Sequence, residues 1–187
     1  MIYISTSCIK EKNIIDVLKI LVKNNIKNIE LSGGTKYFQG LEDQLIRFVD
    51  KEKINVRVHN YFPPPEKDFV VNIASLNSEI YDKSINHCIK AIKLAKKLGS
   101  DKYSVHAGFL IDPGVKEIGF GNKLEKKKLY DNQLATNKFI TSYNILKNEG
   151  GKKFKIYIEN NVLSKSNYEK YHNNPFMLTT KNDYENL

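Results

Sequence analysis

Five short stretches of the chain gather or alternate β-favouring apolar residues. Four of them are followed by a run with apolar residues at helical spacing. Ile2 to Ser5 (IYIS) reads as a strand that starts almost at the first residue. Asn13 then offers an N-cap with Asp16 in the first turn, and Ile14, Val17, Leu18, Leu21 and Val22 form one stripe that ends near Asn24 and Asn25. Asn28 to Leu31 (NIEL) predicts the second strand, closed by Ser32-Gly33-Gly34. A helix from about Leu41 to Lys51 carries Leu41, Leu45, Phe48 and Val49 on one face. The third strand, Ile54 to Tyr61, alternates Ile54, Val56 and Val58 with Asn55, Arg57 and His59. Pro63-Pro64-Pro65 ends it, because proline cannot donate to a ladder.

A long connection, residues 66 to 83, contains the short apolar piece Phe69 to Ala74. The next helix is expected from about Ser84 to Leu98, buried through Ile85, Ile89, Ile92 and Ala95, with Gly99 placed to close it. Tyr103 to His106 predicts the fourth strand. A glycine-bearing loop spans residues 109 to 123, and a helix from about Leu124 to Lys147 stops at Gly150-Gly151. Phe154 to Glu159 predicts the fifth strand, and the polar tail has a helical hint around Tyr168.

Strands alternating with helices predict parallel βαβ units, hence an α/β fold. The expected architecture is a parallel (β/α) TIM-type barrel that is incomplete, with about five of eight units, and residues 1–187 form a single partial barrel domain. A full barrel needs about 250 residues, and this chain has 187. Its 41% hydrophobic and 27% charged content is ordinary for a globular protein. No apolar stretch is long enough to span a bilayer, and MIYISTS lacks the basic and apolar regions of a secretory signal. Cys8 and Cys88 lack metal-type spacing and read as reduced thiols. The expected location is therefore cytoplasmic, with no membrane partner. The net charge of +9 favours anionic ligands, but only Arg47 and Arg57 are arginines among 30 basic residues, which speaks against a nucleic-acid reader. The run Lys123 to Lys128 reads as a solvated helix face where a helix begins.

Three strands end alike, in an apolar run followed by a residue able to bind a metal: Val58-His59-Asn60, Val105-His106-Ala107-Gly108 and Ile158-Glu159-Asn160-Asn161. In a parallel barrel all strand C-termini emerge on one face, so His59, His106 and Glu159 are expected to converge. Two imidazoles and a carboxylate suit Zn²⁺, Mn²⁺ or Fe²⁺. The plainer readings are strand-end histidines making structural hydrogen bonds and Glu159 in a salt bridge to a barrel lysine. His87 and His172 carry no assigned role, and Cys88 reads as core. Ser32-Gly33-Gly34-Thr35 could offer backbone N–H groups to an anion, yet it lacks a P-loop lysine, and a tight βα turn is the plainer account. The pairs Tyr37-Phe38 and Tyr61-Phe62 could wall a sugar pocket or simply plug the barrel mouth.

On VHNYFPPP (58–65), SINHCIKAIKLAKKLGS (84–100), SVHAGF (104–109) and IYIENN (156–161), the chain resembles the xylose isomerase-like TIM-barrel superfamily. That group holds sugar phosphate isomerases and epimerases and the endonuclease IV type of DNA-repair enzyme. The resemblance implies a divalent metal (Mn, Zn or Mg) held by His59, His106 and Glu159, with Glu159 also moving a proton as catalytic residue. Asn60 and Asn160 are expected to bind substrate, a sugar or sugar phosphate. It further implies ligands on sixth to eighth strands, before which this chain ends. The sequence then reads as C-terminally truncated, inactive as a fragment, or completed by self-association or a complementing chain. The competing expectations are an abasic-site endonuclease and a non-catalytic barrel remnant.

Overall fold

The computed structural model describes residues 1–118 and 123–185. Part of the glycine-bearing loop, residues 119–122, and the last two residues lie outside them. Strands β1 (Ile4–Ser5), β2 (Asn28–Leu31), β3 (Asn55–His59), β4 (Lys102–His106) and β5 (Lys155–Glu159) form one sheet, every pair parallel. Helices α1 (Ile14–Lys23), α2 (Leu41–Glu52), α3 (Ser78–Lys97) and α4 (Asn132–Gly150) connect successive strands, and α5 (Lys165–Tyr171) and α6 (Lys181–Glu185) follow. Strand order equals chain order. A doubly wound sheet would reverse direction at a switch point; a barrel does not. The sheet is open, with β1 and β5 at its edges.

The period-2 pattern sorts the two faces of the sheet. Ile29, Leu31, Val56, Val58, Tyr103 and Val105 are buried together with Val17, Leu18, Leu45, Ala91 and Ile92 of the helices. Burying each such aliphatic side chain contributes roughly 1.5–3 kcal/mol. The opposite face carries Glu30, Arg57, His59, Ser104, His106, Tyr157 and Glu159, none of them fully buried. A second, smaller cluster of Val70, Phe109, Ile111, Leu124, Tyr171 and Phe176 ties the two long loops to the tail.

Two helix starts differ from the sequence expectation. α3 begins at Ser78, six residues before the expected start, because the Asn77 side chain accepts from the N–H groups of Glu79 and Ile80. α4 begins at Asn132, not at Leu124. Asp131 caps it through the Leu134 N–H at 2.9 Å. The preceding lysine run forms neither helix nor strand: Leu124 is buried in the second cluster, and Lys127 bonds Glu117 at 2.6 Å and the Asp112 carbonyl at 2.9 Å. The run is therefore not a solvated helix face. Tertiary packing of Leu124 outweighs the helix propensity of the lysines.

Candidate metal centre

His59, His106 and Glu159 are the last residues of three adjacent strands, and each falls on the polar side of the pleat. His106 and Glu159 are register partners across β4 and β5. The two imidazole rings stand edge to face, 5.6 Å apart at 87°. Each of the three side chains offers a ligand atom, and all three atoms lie within 4.8 Å of one another. In a tetrahedral site with bonds of about 2.0–2.1 Å, two ligand atoms sit about 3.4 Å apart. Side-chain shifts of about an ångström would therefore close the set around a single ion.

Two polar atoms at this site lack hydrogen-bond partners. Nδ1 of His59 and Nδ1 of His106 are both buried without a hydrogen-bond partner. His59 Nδ1 approaches Glu159 Oε1 to 3.0 Å, an ion-pair distance, without the directionality of a hydrogen bond. A buried donor or acceptor left unmatched costs about 1–3 kcal/mol, and a cation accepting the free lone pairs would relieve that cost. No lysine pairs with Glu159 among the described residues, so the salt-bridge account of this carboxylate does not hold.

Charge at the site is coupled. Burial works to lower the His59 pKa, but the Glu159 carboxylate, aided by Glu30, more than offsets it and leaves the imidazole above its ordinary value. His106 goes the other way: burial, with some help from His59, pushes it down despite Glu159. The contact with His59 holds the Glu159 carboxyl below the usual carboxylate range against the opposing effect of burial. The neighbouring imidazoles thus differ in proton affinity, and the carboxylate stays ionised.

The backbone beyond His59 is pinned from behind. The Asn60 carbonyl accepts from His87 Nε2–H at 3.0 Å and from the Tyr103 hydroxyl at 3.1 Å, and its N–H donates to Ser104 O at 2.7 Å. A carbonyl only accepts, so His87 must carry its proton on Nε2. His87, without a role in the sequence reading, is thereby a buried support of the β3 end. Asn60 itself is 1% exposed, and both polar atoms of its side chain lack partners. Asn160 is exposed at the end of β5. Cys8 is exposed, Cys88 is buried, and both are free thiols. His172 is exposed, as expected.

Two neighbours carry no assigned role in the sequence reading. Glu30 on β2 lies 3.8 Å from His59 Nδ1. Arg57 sits two residues before His59 on the same face, its guanidinium 3.8 Å from the centre of the Tyr3 ring. The signal for both was the alternation itself, since Ile29, Leu31, Val56 and Val58 take the other face.

No protein-family model matches the sequence, and no curated protein matches it. Solved structures share its fold. A 3-keto-D-glucoside 4-epimerase from E. coli superposes with a TM-score of 0.65 at 11% identity, over 98% of this chain and 61% of that one. A D-tagatose 3-epimerase-like protein gives 0.60 at 17% identity, over 87% and 54%. An L-ribulose 3-epimerase gives 0.54 at 14% identity, over 85% and 49%. The chain shares the fold of these three proteins and spans between 49% and 61% of their length.

Proposed function

We propose that this chain is the metal-binding part of a sugar or sugar-phosphate isomerase or epimerase, with His59, His106 and Glu159 as ligands. The observation that carries the reading is the pair of buried imidazole nitrogens without a hydrogen bond, gathered with a carboxylate at three neighbouring strand ends. Bound there, a divalent ion such as Mn²⁺, Zn²⁺ or Mg²⁺ would polarise a sugar carbonyl or hydroxyl. Glu159 is the base for a proton on the adjacent carbon, kept ionised by the imidazoles. The hydrogen bonds of His87 and Tyr103 to the Asn60 carbonyl hold the His59 backbone in place. Asn60 and Asn160 flank the ligands and are the substrate-binding side chains of this proposal. Glu30 is the other carboxylate close to the cluster. Residues 1–187 act as one partial barrel, and full turnover is expected only when further strands, from a complementing chain or a second copy, complete the site.

Metal analysis of the purified chain, with Glu159→Gln as control, tests the reading. The expected result is one divalent ion in the wild type and a clear loss in the variant. Unchanged metal content in the variant would remove Glu159 from the site. Steeply salt-dependent binding of abasic DNA without effect on sugars would turn the assignment toward a nuclease.

A further inference from the structure

The loop after β2 frames a cleft of about 400 Å³ that the metal centre does not use. Its rim is built by Lys12, Gly33, Gly34, Thr35, Lys36 and Tyr61. Tyr61 follows His59 by two residues, at most about 7 Å of chain. Glu30, three residues before Gly33, lies 3.8 Å from the His59 ring nitrogen. The cleft and the metal centre therefore open at the same end of the sheet.

Several donors in this cleft have nothing to donate to. Thr35 is only 7% exposed, and its Oγ1 is buried with no hydrogen-bond partner. Among the described residues, no hydrogen bond engages the backbone N–H of Gly33, Gly34 or Thr35. The loop is held at its margins instead: Ser32 N–H donates to Thr6 Oγ1 at 2.9 Å, and Lys36 N–H donates to the Lys12 carbonyl at 2.8 Å. Gly34 has φ +105, a conformation that side chains rarely adopt, and a Cβ there would meet nothing within 4 Å. At Gly33 a Cβ would come within 3.4 Å of Tyr61 Cβ, so the loop also packs closely on the β3 end.

The charges are sorted as well. Lys36 is paired with Asp68 at 2.5 Å, whereas Lys12 has no acidic partner among the described residues. One uncompensated ammonium, a buried hydroxyl and a glycine turn with free amides make a set of donors for an acceptor-only group. A phosphate monoester is such a group, and backbone concavities of this kind hold anions.

We propose that Thr35, Lys12 and the Gly33-Gly34 amides form a subsite for the phosphate of a phosphorylated sugar whose other end reaches the His59–His106–Glu159 cluster. The reactive-end half of this statement rests on the function proposed above; the phosphate half stands on the cleft alone. The substrate is then a sugar phosphate and not a neutral sugar.

Titration of the full chain with inorganic phosphate, with and without Mn²⁺, separates the two. The expected result is phosphate binding without metal, with amide shifts at Gly33 and Gly34 by NMR. Thr35→Val and Lys12→Gln are each expected to weaken phosphate binding about tenfold and to leave Mn²⁺ affinity unchanged. Thr35→Val is nearly isosteric and Lys12 is exposed, and matching circular dichroism and melting temperature verify that both variants fold. Glu159→Gln is expected to weaken Mn²⁺ and spare phosphate. Phosphate that binds only with Mn²⁺ present, or as tightly to both cleft variants as to the wild type, overturns the subsite. Loss of the metal reading alone would show as absent Mn²⁺ binding with phosphate binding intact.

Discussion

His59 and His87 lie close in space yet respond to pH in opposite senses. Burial lowers the pKa of His59, but Glu159 and Glu30 raise it further than burial lowers it. A protonated imidazole has no lone pair for a cation, so protons and metal compete for this nitrogen. Affinity for Mn²⁺ is expected to increase with pH and to level off only above the raised His59 value, as titrations at successive pH would read. His87 is depressed by burial, partly opposed by the Asn60 carbonyl. On acidification from neutrality the unfolded chain takes up this proton first, near 6.5, so the folded state loses stability between that value and the lower folded one. Gln in place of His87 keeps a donor for Asn60 without the titration. His87→Gln is therefore expected to make the stability of the metal-free chain less acid-sensitive over that interval, measured by urea unfolding at several pH values.

At the level of elements, the two long loops are held by one buried amide. Asn72 Nδ2 donates to the carbonyls of Phe109 at 3.1 Å and Ile111 at 2.9 Å and to Asp112 Oδ1 at 2.8 Å, while its Oδ1 accepts from Ala74 N–H and Phe109 N–H. Asn72→Ala would orphan several buried groups and is expected to cost about 3 kcal/mol in chemical denaturation. The same junction explains the glycine of His106-Ala107-Gly108. Gly108 has φ +100, and a Cβ there would meet Asn72 Oδ1 at 2.8 Å and Ala74 Cβ at 3.1 Å. Gly108→Ala combines strain with a clash and is expected to destabilise by about 2–4 kcal/mol, read as a lowered melting temperature. The sequence made the strands legible because alternation and turn residues are local signals. His59, His106 and Glu159 were legible because each ends an apolar run. Helix starts at Asn77 and Asp131 were less so, since a polar cap marks them and not the apolar stripe. The Asn72 junction depends on residues brought together only by folding, which no local pattern displays.

Across the molecule, the sheet has two unpaired edges among the described residues, β1 and β5. Backbone donors and acceptors along such an edge favour pairing with another strand. Sedimentation over a wide concentration range is expected to show reversible self-association, and a strictly monomeric chain would argue against completion by a second copy. A further consequence follows from the pleat. If one strand zipped against its neighbour a single residue out of step, the two faces would trade places. On that strand Val58, Val105 or Ile158 would meet water, while its imidazole or acid would be driven under the helices. The alignment that creates the chemistry is also the one that hides the aliphatics. A mis-threaded molecule therefore cannot persist as a stable but inert copy, because the error that ruins the site also removes the reason to stay folded.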